Sequence, residues 1–91
     1  MNEAAYLKGL VLEDIEKSCP GATVSIGSLV IGPCEEFQTN FCKIAGGLTD
    51  NQAIVDASYS HGPGTGTGLM YILEKDSEDW KIKDKKPTWI S

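Results

Sequence analysis

One amphipathic segment decides the fold: residues 2–21 read NEAAYLKGLVLEDIEKSCPG. At about 100° per residue, its apolar side chains gather on one side of a helix over residues 3–18. They are Ala4, Leu7, Val11, Leu12, Ile15 and Cys19. Asn2 is a preferred residue type at a helix N-cap, and Pro20-Gly21 ends the helix. The segment therefore predicts a surface helix whose apolar side is covered by the rest of the chain.

The remaining sequence predicts short strands separated by turn residues. Residues 22–31, 37–48, 52–60, 69–75 and 80–83 are β-branched or alternate in hydropathy, and residues 88–90 form an edge segment. Gly27-Ser28 interrupts the first strand and predicts a bulge. With one helix, parallel crossovers cannot dominate, so the strands should pair antiparallel. We predict one α+β domain over residues 1–91, in which the N-terminal helix packs on a curved antiparallel sheet of four to five strands.

Charge and hydropathy narrow the classes of partner. The 91 residues carry a formal net charge of −5, and all eight basic residues are lysines. Binding to a nucleic acid is therefore not expected, because phosphate backbones are held by clustered basic side chains. No apolar run approaches the roughly 20 residues that cross a bilayer. We expect a cytoplasmic protein if Met1 is native; if Met1 replaced a removed leader, the compartment is open and export is the alternative.

The three cysteines, Cys19, Cys34 and Cys42, do not form a complete set of pairs. We expect three reduced thiols with mainly structural roles, and one bridge plus a free thiol is the alternative. In that alternative Cys42 pairs with Cys34; otherwise Cys42 faces the core. The chain has no Cys-x-x-Cys motif and a single histidine, so we predict neither a metal site nor a cofactor.

The C-terminal hairpin carries a resemblance to a known superfamily. Residues 71–75 read YILEK, an acidic turn follows, and residues 80–83 read WKIK. This pattern resembles the last hairpin of cystatin-like and nuclear-transport-factor-like domains. The resemblance implies a curved sheet wrapped around a helix, but no single activity, since such folds host enzymes, ligand binders, dimerisation modules and inhibitors. The glutamine-valine-glycine loop of protease-inhibiting cystatins has no copy here, so that activity is not carried over.

Few residues indicate a catalytic or ligand-binding role. Lys8 falls within the apolar sector of the helix, and a buried lysine needs a carboxylate, for which Asp56 is a candidate. With Tyr59 and His61 these residues are the candidates for a pocket between helix and sheet. The other interpretation is that Lys8 extends its ammonium group into water. We predict no catalytic residue, because strand alternation points Asp56 and His61 to opposite faces.

The glycine-rich residues 62–68, GPGTGTG, match no phosphate-binding motif. They predict a flexible hairpin connection, or a strand end that lies flat beneath a bulky neighbour.

These observations favour a non-enzymatic binding or protein-interaction module that acts on a protein partner or on itself as a homodimer. Glu35, Glu36, Trp89 and Ile90 are the candidates for the partner surface. One alternative is a small acidic inhibitor or immunity-type protein, in which Asp76, Glu78 and Asp79 join the two glutamates. The other is a small-ligand binder or minor enzyme that uses the pocket between helix and sheet.

Overall fold

The N-terminal helix forms as predicted. In the computed structural model, which describes residues 2–90, helix α1 spans Glu3–Ser18. The Asn2 side chain accepts hydrogen bonds from the backbone N–H groups of Ala4 (3.0 Å) and Ala5 (3.4 Å). These bonds satisfy two donors that have no partner within the helix. The predicted N-cap is therefore confirmed.

Four strands and a second, short helix follow α1. They are β1 (Thr23–Ile31), α2 (Asn40–Ala45), β2 (Gln52–Ser60), β3 (Thr67–Asp76) and β4 (Asp79–Ile90). The strands lie in the order β1-β2-β3-β4, and each neighbouring pair is antiparallel. The β1–β2 register shifts between Ile26 and Leu29, which confirms the predicted bulge. The α+β prediction of one helix packed on an antiparallel sheet is confirmed.

Helix α1 covers one face of the sheet, called here the first face. The helix contributes Leu7, Val11 and Ile15, each at most 1% exposed. The strands contribute Ala53, Val55, Ala57, Tyr71, Leu73 and Trp80 to the same cluster. Because these strand residues alternate along the sequence, they all project from one side of the sheet.

The opposite face, called here the second face, is covered by a segment for which the prediction was wrong. Residues 37–48 do not form a strand: they contain α2, which Thr39 caps by accepting a hydrogen bond from the Cys42 N–H (3.1 Å). Gly46 ends α2 in the left-handed conformation, with φ of 76°. Phe41, Cys42 and Ala45 have helical spacing and pack on the second face. Contact with the second face therefore selects a helix here instead of the predicted strand.

The second-face segment, residues 32–51, is tied to the sheet at both ends. Cys34 and Leu48 form an isolated antiparallel bridge. The Gly32 N–H donates a hydrogen bond to the Gln52 carbonyl (2.8 Å). Below the segment lie Ile54, Met70 and Ile72, the residues that alternate with the first-face positions. The sheet therefore has a core on each face.

The last two predicted strand segments are one strand. Residues 80–83 and 88–90 both belong to β4, which pairs with β3 along its length. The register shifts between Gly68 and Leu69 and between Ile72 and Leu73. The two shifts leave Lys83 and Thr88 without a directly opposite residue in β3, and β4 continues on both sides of each bulge.

Gly68 lies directly beneath the Trp89 indole, as one reading of the glycine-rich stretch predicted. A β-carbon at Gly68 would overlap Nε1 and Cδ1 of Trp89 and approach the Thr88 hydroxyl oxygen to 2.6 Å. Gly68 is buried, whereas Trp89 is half exposed. The glycine thus provides the flat surface on which the indole rests.

We expect Gly68→Ala to destabilise the fold by about 1–2 kcal/mol, because the added methyl group displaces the indole or the backbone. Urea denaturation of the wild type, Gly68→Ala, Trp89→Ala and the double variant measures the coupling. The cost of Gly68→Ala should fall by more than half in the Trp89→Ala background. Equal costs in both backgrounds would show that the indole does not restrict residue 68.

Candidate interaction surface

A nine-residue ring on the second face is the most unusual local structure. Cys34 and Cys42 form a disulfide with a sequence separation of 8, and we call residues 34–42 the ring. The expectation of three reduced thiols was therefore wrong, and the pairing alternative is correct. Cys19 remains free and half-buried. The sulfur atoms meet because the turn over residues 36–38 and the first turn of α2 bring Cys42 back to Cys34, which an extended strand could not do.

Hydrogen bonds further fix the ring. The Glu35 N–H donates to Oε1 of Gln38 (2.7 Å), and the Gln38 N–H donates to the Glu35 carbonyl (3.1 Å). The Thr39 hydroxyl donates to the Cys42 sulfur (3.0 Å). Cys42 is fully buried and Cys34 is 9% exposed, so the disulfide anchors the ring to the second core. The disulfide and these hydrogen bonds therefore restrain the backbone of the ring.

The ring presents a phenylalanine to solvent. Phe37 is 86% exposed, the largest exposure among the large apolar side chains described in residues 2–90. Glu35 and Glu36, both predicted partner-surface residues, precede it and are also exposed. Neither glutamate takes part in an ion pair described within residues 2–90. The ring therefore combines a restrained backbone, an aromatic tip and two solvated carboxylates.

A groove of about 520 Å³ runs between the second-face segment and β4. Its charged lining consists of Glu35, Lys83, Asp84 and Lys86. The Lys86 ammonium donates to the Ile44 carbonyl (3.4 Å), and Lys83 pairs with Glu74 (3.2 Å). The groove is thus mixed in charge, and its lysines already have partners.

The other partner-surface candidates, Trp89 and Ile90, lie at the end of β4. They are 50% and 75% exposed. Trp89 rests over Gly68, which shares a sheet side with Met70 because the two residues are two apart in β3. Trp89 therefore lies on the second face, the same side of the sheet as the ring.

The four pocket candidates do not converge. Lys8 is exposed, as the interpretation with its ammonium in water predicts. Asp56 lies between Val55 and Ala57, which pack against α1, so its side chain projects from the second face. Tyr59 packs against the first-face core and meets the exposed His61 ring edge-to-face, with centroids 6.4 Å apart. The structure brings together only Tyr59 and His61.

A second cleft, of about 340 Å³, opens where α1 begins. Its lining residues are Glu3, Tyr6, Lys75, Glu78, Asp79 and Trp80. Glu3 accepts a hydrogen bond from the Trp80 indole (3.1 Å) and pairs with Lys75 (3.7 Å). These contacts join the first turn of α1 to the β3–β4 hairpin. The cleft residues Glu3, Lys75 and Trp80 therefore hold the helix on the sheet.

A second polar contact joins the C-terminal half of α1 to the same two strands, β3 and β4. The Tyr71 hydroxyl donates a hydrogen bond to Oδ2 of Asp14 (2.7 Å), and the Lys85 ammonium binds the same oxygen (2.7 Å). Burial raises the pKa of Asp14, but the hydrogen bonds from Lys85 and Tyr71 outweigh it and hold that pKa below its usual value. Burial, and then the bond to Asp14, raise the pKa of Tyr71, so its hydroxyl remains a donor. Sequence reasoning missed this cluster because its members are far apart along the chain.

The lowered pKa of Asp14 predicts acid-sensitive stability. The unfolded chain binds a proton at Asp14 more readily than the folded chain. The ionised Asp14 carboxylate therefore makes its full contribution to the stability of the folded chain above about pH 5. That contribution is lost as the pH falls below about 4 towards the pKa of Asp14 in the folded chain. We expect Asp14→Asn to be about 1 kcal/mol less stable than the wild type at pH 7, with the difference closing near pH 2. Urea midpoints measured from pH 7 to pH 2 provide the test.

Asp50→Asn, in an exposed turn, is the matched control for the loss of one carboxylate. The urea midpoint of Asp50→Asn should change with pH in the same way as that of the wild type. The same pH dependence for Asp14→Asn as well would contradict the assignment.

Metal-binding clusters and membrane-spanning helices are both absent from residues 2–90. No group of three or more His, Cys, Asp or Glu side chains there is placed to hold a metal ion. No helix in this range is both long and apolar enough to span a membrane. Comparison of the chain with protein-family models, curated proteins and solved structures found no match. The cystatin-like resemblance stays a prediction.

Proposed function

We propose that this chain is a non-enzymatic protein-interaction module that binds a partner protein through the ring. The observation that carries the proposal is Phe37, an 86% exposed aromatic side chain on a disulfide-closed backbone. Interface hot spots are enriched in large side chains that enter a pocket of the partner. A ring whose backbone is already restrained loses little further entropy when it binds. Both properties favour recognition by the ring.

The acidic inhibitor is the second candidate, and the two glutamates favour it. Glu35 and Glu36 adjoin Phe37, so a partner with a basic site beside an apolar pocket would match the whole ring. Of the other predicted contacts, Asp76 pairs with Lys81 (3.5 Å) and is less available. The ligand-pocket alternative lacks comparable support, because its candidate residues lie on both sides of the sheet.

The disulfide also bears on the compartment. Stable structural disulfides form in oxidising compartments and are rare in the reducing cytoplasm. The Cys34–Cys42 bridge therefore supports the exported alternative over the cytoplasmic one. We propose that the chain acts outside the cytoplasm.

A capture experiment with matched variants tests the proposed function. The wild-type chain and Phe37→Ser are immobilised, and the proteins retained from source-cell extract and medium are quantified. We expect at least one protein to be retained by the wild type and lost with Phe37→Ser. Titration of that purified protein should then show a loss of about 2 kcal/mol or more, roughly 30-fold in Kd.

The control is Tyr6→Ser, which removes another exposed aromatic side chain, on α1 and outside the ring. It should retain the partner. If no retained protein depends on Phe37, the ring is not the recognition element. If the Kd rises steeply with added salt and in the double variant Glu35→Gln/Glu36→Gln, the acidic inhibitor is favoured. If the Kd is unchanged under both conditions, recognition by Phe37 alone is favoured.

A further inference from the structure

The two edges of the sheet differ in charge. The edge strand β4 carries Lys81, Lys83, Lys85 and Lys86, and then Pro87, which has no N–H to donate. Lysine and proline on an edge discourage pairing with another chain. The edge strand β1 reads TVSIGSLVI and contains neither a charged residue nor proline; its bulge lies at Gly27-Ser28, and residues 23–26 pair regularly. Within residues 2–90 it pairs with β2 alone, so its outer backbone groups remain available to another strand.

The β1 sequence is complementary to itself in one antiparallel register. If a twofold axis passes through Ser25, then Ser25 opposes Ser25 of the second copy. Val24 opposes Ile26 of the second copy, and Thr23 opposes Gly27. Val24 and Ile26 are half-buried and pack on the first-face core, so the register matches apolar with apolar residues on that face. On the second face, the exposed Ser25 meets Ser25 of the second copy, and the exposed Thr23 meets Gly27, where the β1 bulge begins.

Helix α1 adds one exposed apolar side chain, Leu12, to the flank above β1, between the charged Lys8 and Glu16. Glu3 and Asp14 contact β3 and β4, so they mark the flank of α1 that faces that side of the sheet. At about 100° per residue, Leu12 lies on the opposite flank, towards β1. Leu12 is 37% exposed, although the sequence pattern placed it with the buried residues. A molecule seated along β1 would cover it.

We propose that the β1 edge binds a second copy of this chain, forming a twofold-symmetric dimer with one continuous eight-stranded sheet. The occupant is a second copy because β1 is neutral and self-complementary, whereas a strand such as β4 would bring lysines against its apolar residues. Contacts of this kind are isologous, and they close after two copies. The ring is not part of this interface, so dimerisation and ring binding are separate properties.

Sedimentation equilibrium over a wide concentration range tests the dimer. We expect the wild-type mass to rise to twice the 9.8 kDa of the chain. Ser25→Lys places two ammonium groups opposite each other at the axis and should raise the dimer Kd roughly a hundredfold. Glu78→Gln, which changes the net charge equally in the exposed turn between β3 and β4, should leave the Kd unchanged. Circular dichroism checks that each variant is folded.

Cross-linking gives a second readout that does not depend on weakening the dimer. In a Cys19→Ser background, Ser25→Cys should form an intermolecular disulfide on oxidation, whereas Thr88→Cys on the lysine-bearing edge should not. A wild-type mass of 9.8 kDa at every concentration would overturn the proposal. So would a dimer that resists Ser25→Lys, or one that Phe37→Ser disrupts. None of these results alters the outcome of partner capture by the ring.

Discussion

Leu7→Ala is expected to destabilise the chain by about 3–4 kcal/mol, more than any other single substitution proposed above. Leu7 is fully buried where α1 packs on the first face. Its truncation loses the transfer free energy of the removed carbons and leaves a cavity that the surrounding strands fill only in part. A domain of this size has a total stability on the order of 5–10 kcal/mol. Urea denaturation monitored by circular dichroism measures the loss.

Lys8→Met is the matched control on the adjacent residue. Lys8 is exposed, so its replacement should change the free energy of unfolding by less than about 0.5 kcal/mol. A gain well above that figure would mean that Lys8 lies in an apolar environment. A loss of less than about 1 kcal/mol for Leu7→Ala would contradict the packing of α1 on the first face.

Removal of the disulfide is expected to have the next largest effect. The double variant Cys34→Ala/Cys42→Ala should lose about 2–3 kcal/mol, because the bridge closes a short loop that the unfolded chain would otherwise leave open. The second core also loses the buried Cys42 sulfur. Partner capture by the ring should weaken too, since Phe37 would no longer stand on a restrained backbone.

Two measurements check this prediction. Thiol alkylation of the unfolded, unreduced chain should label Cys19 alone, and prior reduction should expose all three cysteines. Adding reductant should lower the stability of the wild type but not that of the double variant. Three reactive thiols without reductant would show that the ring is open. A Cys19→Ser variant, which keeps the bridge, serves as the control for the loss of a sulfur.

The fold could be predicted where interactions between residues close in the sequence determine it. The α1 boundaries followed from Asn2, the helical spacing of its apolar residues and Pro20-Gly21. The β1 bulge followed from Gly27-Ser28. Each is determined by interactions within a few residues. Residues 37–48 were misread because their apolar side chains fit strand alternation and helical spacing about equally, and only contact with the second face selects the helix.

The candidate surface could be predicted only in part. Glu35 and Glu36 stood out as acidic contacts, but Phe37 was assigned to a strand, and nothing in the sequence placed its side chain in solvent. The pocket of Lys8, Asp56, Tyr59 and His61 was not assembled, because strand alternation places Asp56 on the face away from α1. Alternation was visible in the sequence, but the face that α1 would cover was not.

The sequence by itself determined that an N-terminal amphipathic helix must pack on an antiparallel sheet, because its periodicity shows which side chains are apolar and at what spacing. Only the tertiary structure decided what covers the second face, which cysteines meet, and that Glu3 and Asp14 anchor α1 to Trp80 and Tyr71. Those contacts join residues up to 77 positions apart. Local patterns show that a surface needs a partner, and long-range packing selects which part of the chain provides it.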